Sequence, residues 1–487
     1  MKKILDQRTA TRCGERLLHV GQAVFVAAAL AGCSVEPARI ESYMPRSSLP
    51  GVEPQEAGER AAGPLGLDAC VRIALDNNPM NRAAREGVAA AKAAVGESRA
   101  AYYPKLTAYA GYARARVGNL FSTIGRPPVN IGPENFWFGA GVLTWDIFDW
   151  GKRRADLKTA MAQQGASQDE VLRVRQELAL TVYQAFYTLQ VAEELQAVAK
   201  RNVERAKDHL RQSNERKEAG TVPQIDVLRS KVDLAQAQLA LTRNDSSVRI
   251  ARGGLNAAMG LPVEMPVEVA NPPDDFSSPH NIDLTNAFDQ AVHTRPELAA
   301  ALRRIEAARW SVNSVKSTFL PKISFNSVYV LQGTQLPTDG SIYFFGAYAQ
   351  MPIFDGFVRV HRLSHAKADL AKEEADTANL VLQVRSEVWN SYSKLKEAYE
   401  AIKASEAMVA DAEESARSAA ERYRTQAGTI TEVLDSGASL FQAEASLAQS
   451  RWDYRVSKAE FRRAIGEVVT DEERTEVRRQ RGMMNDE

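Results

Sequence analysis

The chain has 487 residues, with 61 Lys plus Arg against 61 Asp plus Glu, and is 45% hydrophobic; its mean hydropathy is −0.32. The balanced charge gives no electrostatic case for nucleic-acid binding. Outside the N-terminus no apolar run reaches the roughly 18 residues that a spanning helix needs, which excludes a helical membrane protein.

The N-terminus is a leader. Lys2, Lys3, Arg8, Arg12 and Arg16 precede an apolar run from Val20 to Ala31, and the stretch ends Leu30-Ala31-Gly32-Cys33. A basic start followed by a short apolar core is a secretory signal, and the ending resembles a bacterial lipobox, in which the cysteine is lipidated and becomes the first residue. Residues 1–32 are therefore expected to be removed and Cys33 to carry lipid, leaving 56 basic and 59 acidic residues. By resemblance to Gram-negative lipoproteins, Ser34 in place of Asp favours the outer membrane. Residues 33–66 hold Pro37, Pro45, Pro50, Pro54 and Pro64 and read as an extended linker. Cys70 then stands alone, in an apolar helical pattern that makes it a buried small residue.

The rest is one unit written twice. At an offset of 217, Leu67 meets Leu284, Pro79 meets Pro296, and Tyr103-Pro104-Lys105-Leu106 meets Leu320-Pro321-Lys322-Ile323. Further on the offset is 206: Phe148-Asp149 meets Phe354-Asp355, Asp226-Val227-Leu228 meets Glu432-Val433-Leu434, and Gly260 meets Gly466. Repeat 1 (67–260) is a helix, two strands within 105–148, a long helix 151–218 and a helix 223–259. Repeat 2 (284–466) is a helix, two strands within 322–354, a long helix 356–423 and a helix 431–465. The charged tail 467–487 is expected to fray. The long helix 151–218 has no proline and carries Val182, Ala185, Leu189, Ala192, Ala199, Val203, Ala206 and Leu210 at steps of three, four and seven, a coiled-coil seam. At about 1.5 Å per residue it reaches roughly 100 Å, which implies a wall of helices. The first and last helices of each repeat, stacked end to end, match its length.

The strands alternate. Trp137, Gly139, Gly141, Leu143, Trp145 and Ile147 share one face, with Thr144 and Asp146 opposite; Ala347, Ala349, Met351 and Ile353 form the apolar face of the second copy. Of 36 aromatic residues, 11 fall between Tyr102 and Trp150 and 9 between Phe319 and Phe357. That concentration suits the interfaces of a membrane β-barrel. Four strands do not close, and an open edge is excluded in lipid, so copies of the chain must share a barrel: eight strands from two copies or twelve from three.

The lipoprotein leader, the duplicated unit, the Tyr-Pro-Lys-Leu and Leu-Pro-Lys-Ile joints, the Phe-Asp starts of the long helices and the Ala-Gly-Thr turns together resemble the TolC-like outer membrane efflux proteins, NodT-type lipoprotein branch. The resemblance implies a mainly α fold with a membrane β-barrel, built as a homotrimer: a 12-stranded barrel in outer membrane lipid and an α-helical tunnel across the periplasm. It also implies docking by a periplasmic adaptor (membrane fusion) protein and an inner-membrane RND pump, and passive export of drugs or other toxic small molecules. The family's periplasmic gate maps onto Glu432 and Asp435, with Asp226 as the first-copy counterpart. Glu432 and Asp435 share a helical face, and three chains would ring a narrow opening with six carboxylates that favour cations. No arginine lies between Gln426 and Asp435 to lock the tip; Arg422 and Tyr423 are the neighbouring candidates.

Nothing in the sequence suggests an enzyme or a cofactor. His361 and His365 are four apart but lack a metalloprotease glutamate and a third ligand. A type I protein-secretion duct and a lipid-anchored periplasmic coiled-coil scaffold remain as alternative readings.

Overall fold

The computed structural model describes residues 64–115, 134–270, 276–333 and 340–467. The leader, Cys33, most of the linker and the tail beyond Glu467 lie outside these residues. Among the described residues the elements run α1 (Leu67–Asn77), α2 (Pro79–Ala100), β1 (Lys105–Ala115), β2 (Glu134–Phe148), α3 (Lys152–Glu218) and α4 (Gln224–Met259). The second copy follows with α5 (Leu284–Thr294), α6 (Pro296–Ser317), β3 (Lys322–Gly333), β4 (Gly340–Gln350), α7 (Val358–Arg424) and α8 (Ile430–Ala464).

The helix expected before each strand pair is in fact two helices. Pro79 and Pro296 restrict the residue before them to extended backbone, and Asn78 (ψ 127°) and Arg295 (ψ 125°) adopt it. Asn78 also caps α2, its side chain accepting the Met80 N–H. The end-to-end stack therefore joins α2 to α4 and α6 to α8, while α1 and α5 fold back against the flank. Asn78 Nδ2 donates to Ala258 O at 3.0 Å at the first junction, and Thr294 Oγ1 donates to Ile465 O at 2.8 Å at the second. Leu65, within the linker, is tied down as a parallel bridge to Val269.

The seam of α3 is buried at Val182, Leu189, Ala192, Ala199, Val203 and Ala206, with Ala185 and Leu210 half-buried. Around it, Leu178 and Phe186 pack with Cys70, Val71 and Ala74 of α1 and Leu255 and Met259 of α4, each large side chain contributing about 1.5–3 kcal/mol of transfer free energy. Gln196, the polar member of the seam, is satisfied by donating to Asp245 Oδ1 at 2.8 Å.

Across the wall the order is α2 with α4, then α3, then α6 with α8, then α7. The sheet is antiparallel throughout, in the order β1-β2-β3-β4. Each strand is joined through a short link to its own helix, β1 to α2, β2 to α3, β3 to α6 and β4 to α7, so strand order and helix order agree. Both layers end open. α3, flanked on both sides, buries 21 of its 67 residues; α7, of equal length, buries nine. Leu382, Trp389 and Met408 stand exposed on α7, and Ile225, Leu228, Val232, Leu239 and Ile250 on α4.

Candidate functional site

The register sorts the sheet into two faces. Leu106, Ala108, Ala110 and Tyr112 of β1 stand beside Leu143, Gly141, Gly139 and Trp137 of β2. The same row continues through Phe325, Tyr329 and Leu331 of β3 to Ala347, Phe345, Tyr343 and Ser341 of β4. Leu106, Tyr343 and Phe345 are each more than two-thirds exposed. An apolar face of this breadth, free of carboxylate and ammonium groups from Leu106 to Tyr112 and across to β4, is a surface for lipid rather than water. The opposite face carries Thr144, Asp146, Ser324 and Asn326 at its helix-proximal end, where Asp146 meets Lys322 at 2.8 Å and Ser324 at 2.9 Å.

Two joints turn strand into helix. At each, two successive residues occupy the left-handed region: Trp150 (φ 54°) and Gly151 (φ 83°), then Gly356 (φ 65°) and Phe357 (φ 66°). Glycine takes this backbone without penalty, whereas an aromatic residue there costs about 1–2 kcal/mol. Trp150 is held by donating Nε1–H to Pro321 O at 2.7 Å, which also ties the first joint to the second copy. Asp149 accepts from Gly151 N, Arg153 N and Arg153 Nε at 3.2, 3.0 and 2.8 Å. Asp355 accepts from Arg359 Nε at 2.7 Å. The two guanidinium groups lie over Tyr102 (5.0 Å) and Phe319 (5.4 Å), which are counterparts at the offset of 217. Arg153 and Arg359 were passed over in the sequence, although they are themselves aligned at the offset of 206.

At the other end, the expected gate residues fall on two neighbouring helix-turn-helix tips. Glu432 sits in the first turn of α8, its N–H donating to Thr429 Oγ1 at 3.3 Å, the pattern of a capping box. Its carboxylate meets Arg422 Nη1 at 3.3 Å. Asp435, one turn further along, is exposed, and Asp226 is half-buried in the first turn of α4. No hydrogen bond or ion pair joins Asp226 to Glu432, Asp435 or Tyr423 among the described residues. Tyr423 is only 3% exposed and packs on Ile430 and Val433. The ring is covered by the Arg216 guanidinium at 4.1 Å, and Arg216 Nη2 donates to Arg424 O at 2.7 Å. Arg229 Nη1 donates to Thr431 Oγ1 at 2.7 Å. Arginines thus do bind the tips together, from flanking positions rather than from the turn. The signal was present, since Arg216 aligns with Arg422 and Arg229 with Asp435 at the offset of 206.

The remaining candidates are elsewhere. Cys70 is fully buried, and burial pushes its thiol up to about 11. His361 is exposed, and His365 Nδ1 lies 2.9 Å from Asp369 Oδ2. Among the described residues no group of three or more His, Cys, Asp and Glu is placed to hold a metal.

A sheet with a broad uncharged apolar face, joined strand by strand to a helical wall roughly 100 Å long, defines a channel-forming outer membrane protein with a periplasmic tunnel. The chain belongs to the outer membrane efflux protein family, whose model matches it twice, over residues 70–261 and 287–467, once per repeat. It is 26% identical over 343 residues to the protein CyaE of Bordetella pertussis, covering 69% of this chain and 70% of that one. It is 23% identical over 404 residues to the pyoverdine export outer membrane protein OpmQ of Pseudomonas aeruginosa, covering 80% and 83%. The fold is shared with the Campylobacter jejuni CmeC outer membrane channel, with a TM-score of 0.72 at 18% identity over 82% of this chain and 85% of that one.

Proposed function

We propose that this chain is the exit duct of a tripartite efflux assembly, acting as a homotrimer whose twelve strands close one barrel and whose helices close one tunnel. It works with a periplasmic adaptor and an inner-membrane RND pump, is anchored in outer membrane lipid through Cys33, and lets small molecules, including drugs and other toxic compounds, leave passively without chemistry of its own. The observation that carries this reading is the pair of matching open edges. β1 and the α2/α4 flank stand at one end, β4 and the α7 flank at the other, and a head-to-tail contact between such unlike edges generates a ring. The unpaired backbone of β1 and β4 has no other way to be satisfied in lipid. Light scattering on detergent-extracted protein is expected to give three copies, and planar bilayers are expected to show ion conductance. A water-soluble monomer after Cys33→Ala, with no conductance from the native protein, would instead support a lipid-anchored scaffold.

In that trimer Glu432 and Asp435, with Asp226 on the neighbouring tip, ring the periplasmic mouth, and Tyr423 under Arg216 holds the two tips of each chain together. The double variant Glu432→Ala, Asp435→Ala is expected to lower cation preference and raise conductance in planar bilayers; unchanged values would remove these residues from the gate.

A further inference from the structure

The two joint motifs each deliver one lysine, Lys105 and Lys322, counterparts at the offset of 217, and channel closure alone gives them no role. Both begin a strand, and the register puts both on the face opposite the apolar one. Lys105 stands across from Thr144, and Thr144 across from Asn326, while Lys322 pairs with Gln350. They line a concavity of about 310 Å³ with Tyr103, Asp146, Ser324 and Tyr348. Asp146 is committed to Lys322 at 2.8 Å and to the Ser324 hydroxyl at 2.9 Å. Lys105 is exposed and has no carboxylate within ion-pair distance among the described residues. Each chain therefore brings one uncompensated positive charge to this level. Further along the same face, Thr107 to Ala113, Phe138 to Thr144, Val328 to Gln332 and Ile342 to Gly346 contribute no carboxylate, ammonium or guanidinium. Over these spans the face is uncharged, and Lys105, Asp146 and Lys322 all lie at its helix-proximal end.

We propose that Lys105 and Lys322 form a net positive collar inside the barrel at its junction with the tunnel, a transient subsite for an anionic group, carboxylate or phosphate, on the exported molecule. The proposal rests on the exit-duct reading, because only a closed trimer sets six lysines and three aspartates around one lumen. A ring of like charge in a water-filled pore raises the local concentration of counter-ions and sets ion preference, and here it lies in series with an acidic mouth of opposite sign. The hydroxyls of Tyr103 and Tyr348 are neutral donors beside it, and Asn326 Nδ2 donates to Tyr348 Oη at 3.2 Å, which leaves the Tyr348 O–H to turn outward.

The test uses the full-length detergent-extracted protein in planar bilayers carrying Glu432→Ala and Asp435→Ala, with a KCl gradient and inositol hexakisphosphate added on the barrel side. The collar predicts chloride preference in that background and block by the polyanion. Lys105→Glu is expected to shift the chloride-to-potassium permeability ratio toward potassium by about twofold or more and to relieve the block, with Lys105→Arg retaining both. If channels form and Lys105→Glu changes neither reversal potential nor block, the collar is wrong and the duct stands. If the native protein forms no channels, the duct reading falls and the collar with it.

Discussion

The strand–helix joints and the helix–helix tips each occur twice, once per repeat, yet the duplication has treated them differently. At the joints the two copies remain the same device. Each places two left-handed residues in succession, one glycine and one aromatic in swapped order, and each hooks an aspartate to an arginine four residues on. At the tips only the backbone is shared: Thr221 N donates to Arg216 O at 2.9 Å, and Ala427 N to Arg422 O at 2.8 Å. The left-handed residue is Gly220 in one copy and Gln426 in the other. Side chains have become complementary instead, with Arg216 over Tyr423 and Arg229 on Thr431. A joint has one task, to turn a strand into a helix, so identical solutions persist. A tip faces the tip of the other repeat, and packing two unlike surfaces selects unlike residues.

The comparison is broken most sharply at the joints. The double variant Gly151→Ala, Gly356→Ala puts four side-chain-bearing residues into the left-handed region and is expected to cost about 2–4 kcal/mol, read as a lower melting temperature of the assembled protein. Asp149→Ala, which frees two backbone donors and Arg153, is expected to cost about 1–2 kcal/mol in the same assay. At the second joint the hydrogen bond from Arg359 holds the Asp355 carboxyl below its usual 3.8. A depressed folded-state value stabilises above that pH and is lost as pH falls through it. The melting gap between native protein and Asp355→Asn should therefore persist down to about pH 4 and close below it. At the tips, Arg216→Ala removes a cation–π contact and one hydrogen bond, about 1 kcal/mol, with higher open probability in bilayers rather than a large loss of fold. The smallest effect has the opposite sign: Gln426→Gly relieves one left-handed residue and is expected to stabilise by up to about 1 kcal/mol, a gain that Gly220→Gln should reverse at the other tip.

The Ala-Gly-Thr peptide at both tips illustrates how far the sequence could be read. It marks both turns, but Gly428 is not the left-handed residue; that place falls two positions earlier, on Gln426. A Cβ on Gly428 would sit 3.0 Å from Arg422 Cβ and 3.2 Å from Glu432 Oε2, so this glycine serves close packing. The motif alone does not distinguish these two uses. Likewise the helix read through Pro79 and Pro296 breaks at both; helical periodicity on either side hides that α1 and α5 fold away from the stack. Glu432 is a gate candidate from its position, with Arg422 a candidate beside it, whereas the bracing Arg216 and Arg229 follow from which helices lie side by side.

What the sequence by itself determined is the local grammar: the repeat, the alternation that lays an apolar, uncharged row across the sheet, and the long proline-free stretches that make α3 and α7 rods. These follow from periodicity and from glycine and proline, which act within a few residues of themselves. Tertiary structure decided what meets across the repeats. It set α6 and α8 against α3, tied Trp150 to Pro321, laid Arg216 on Tyr423 and gathered Lys105, Asp146 and Lys322 at one level of the barrel wall. The contacts between the repeats join residues roughly 150 to 280 positions apart; only packed, registered elements bring such groups within hydrogen-bonding range.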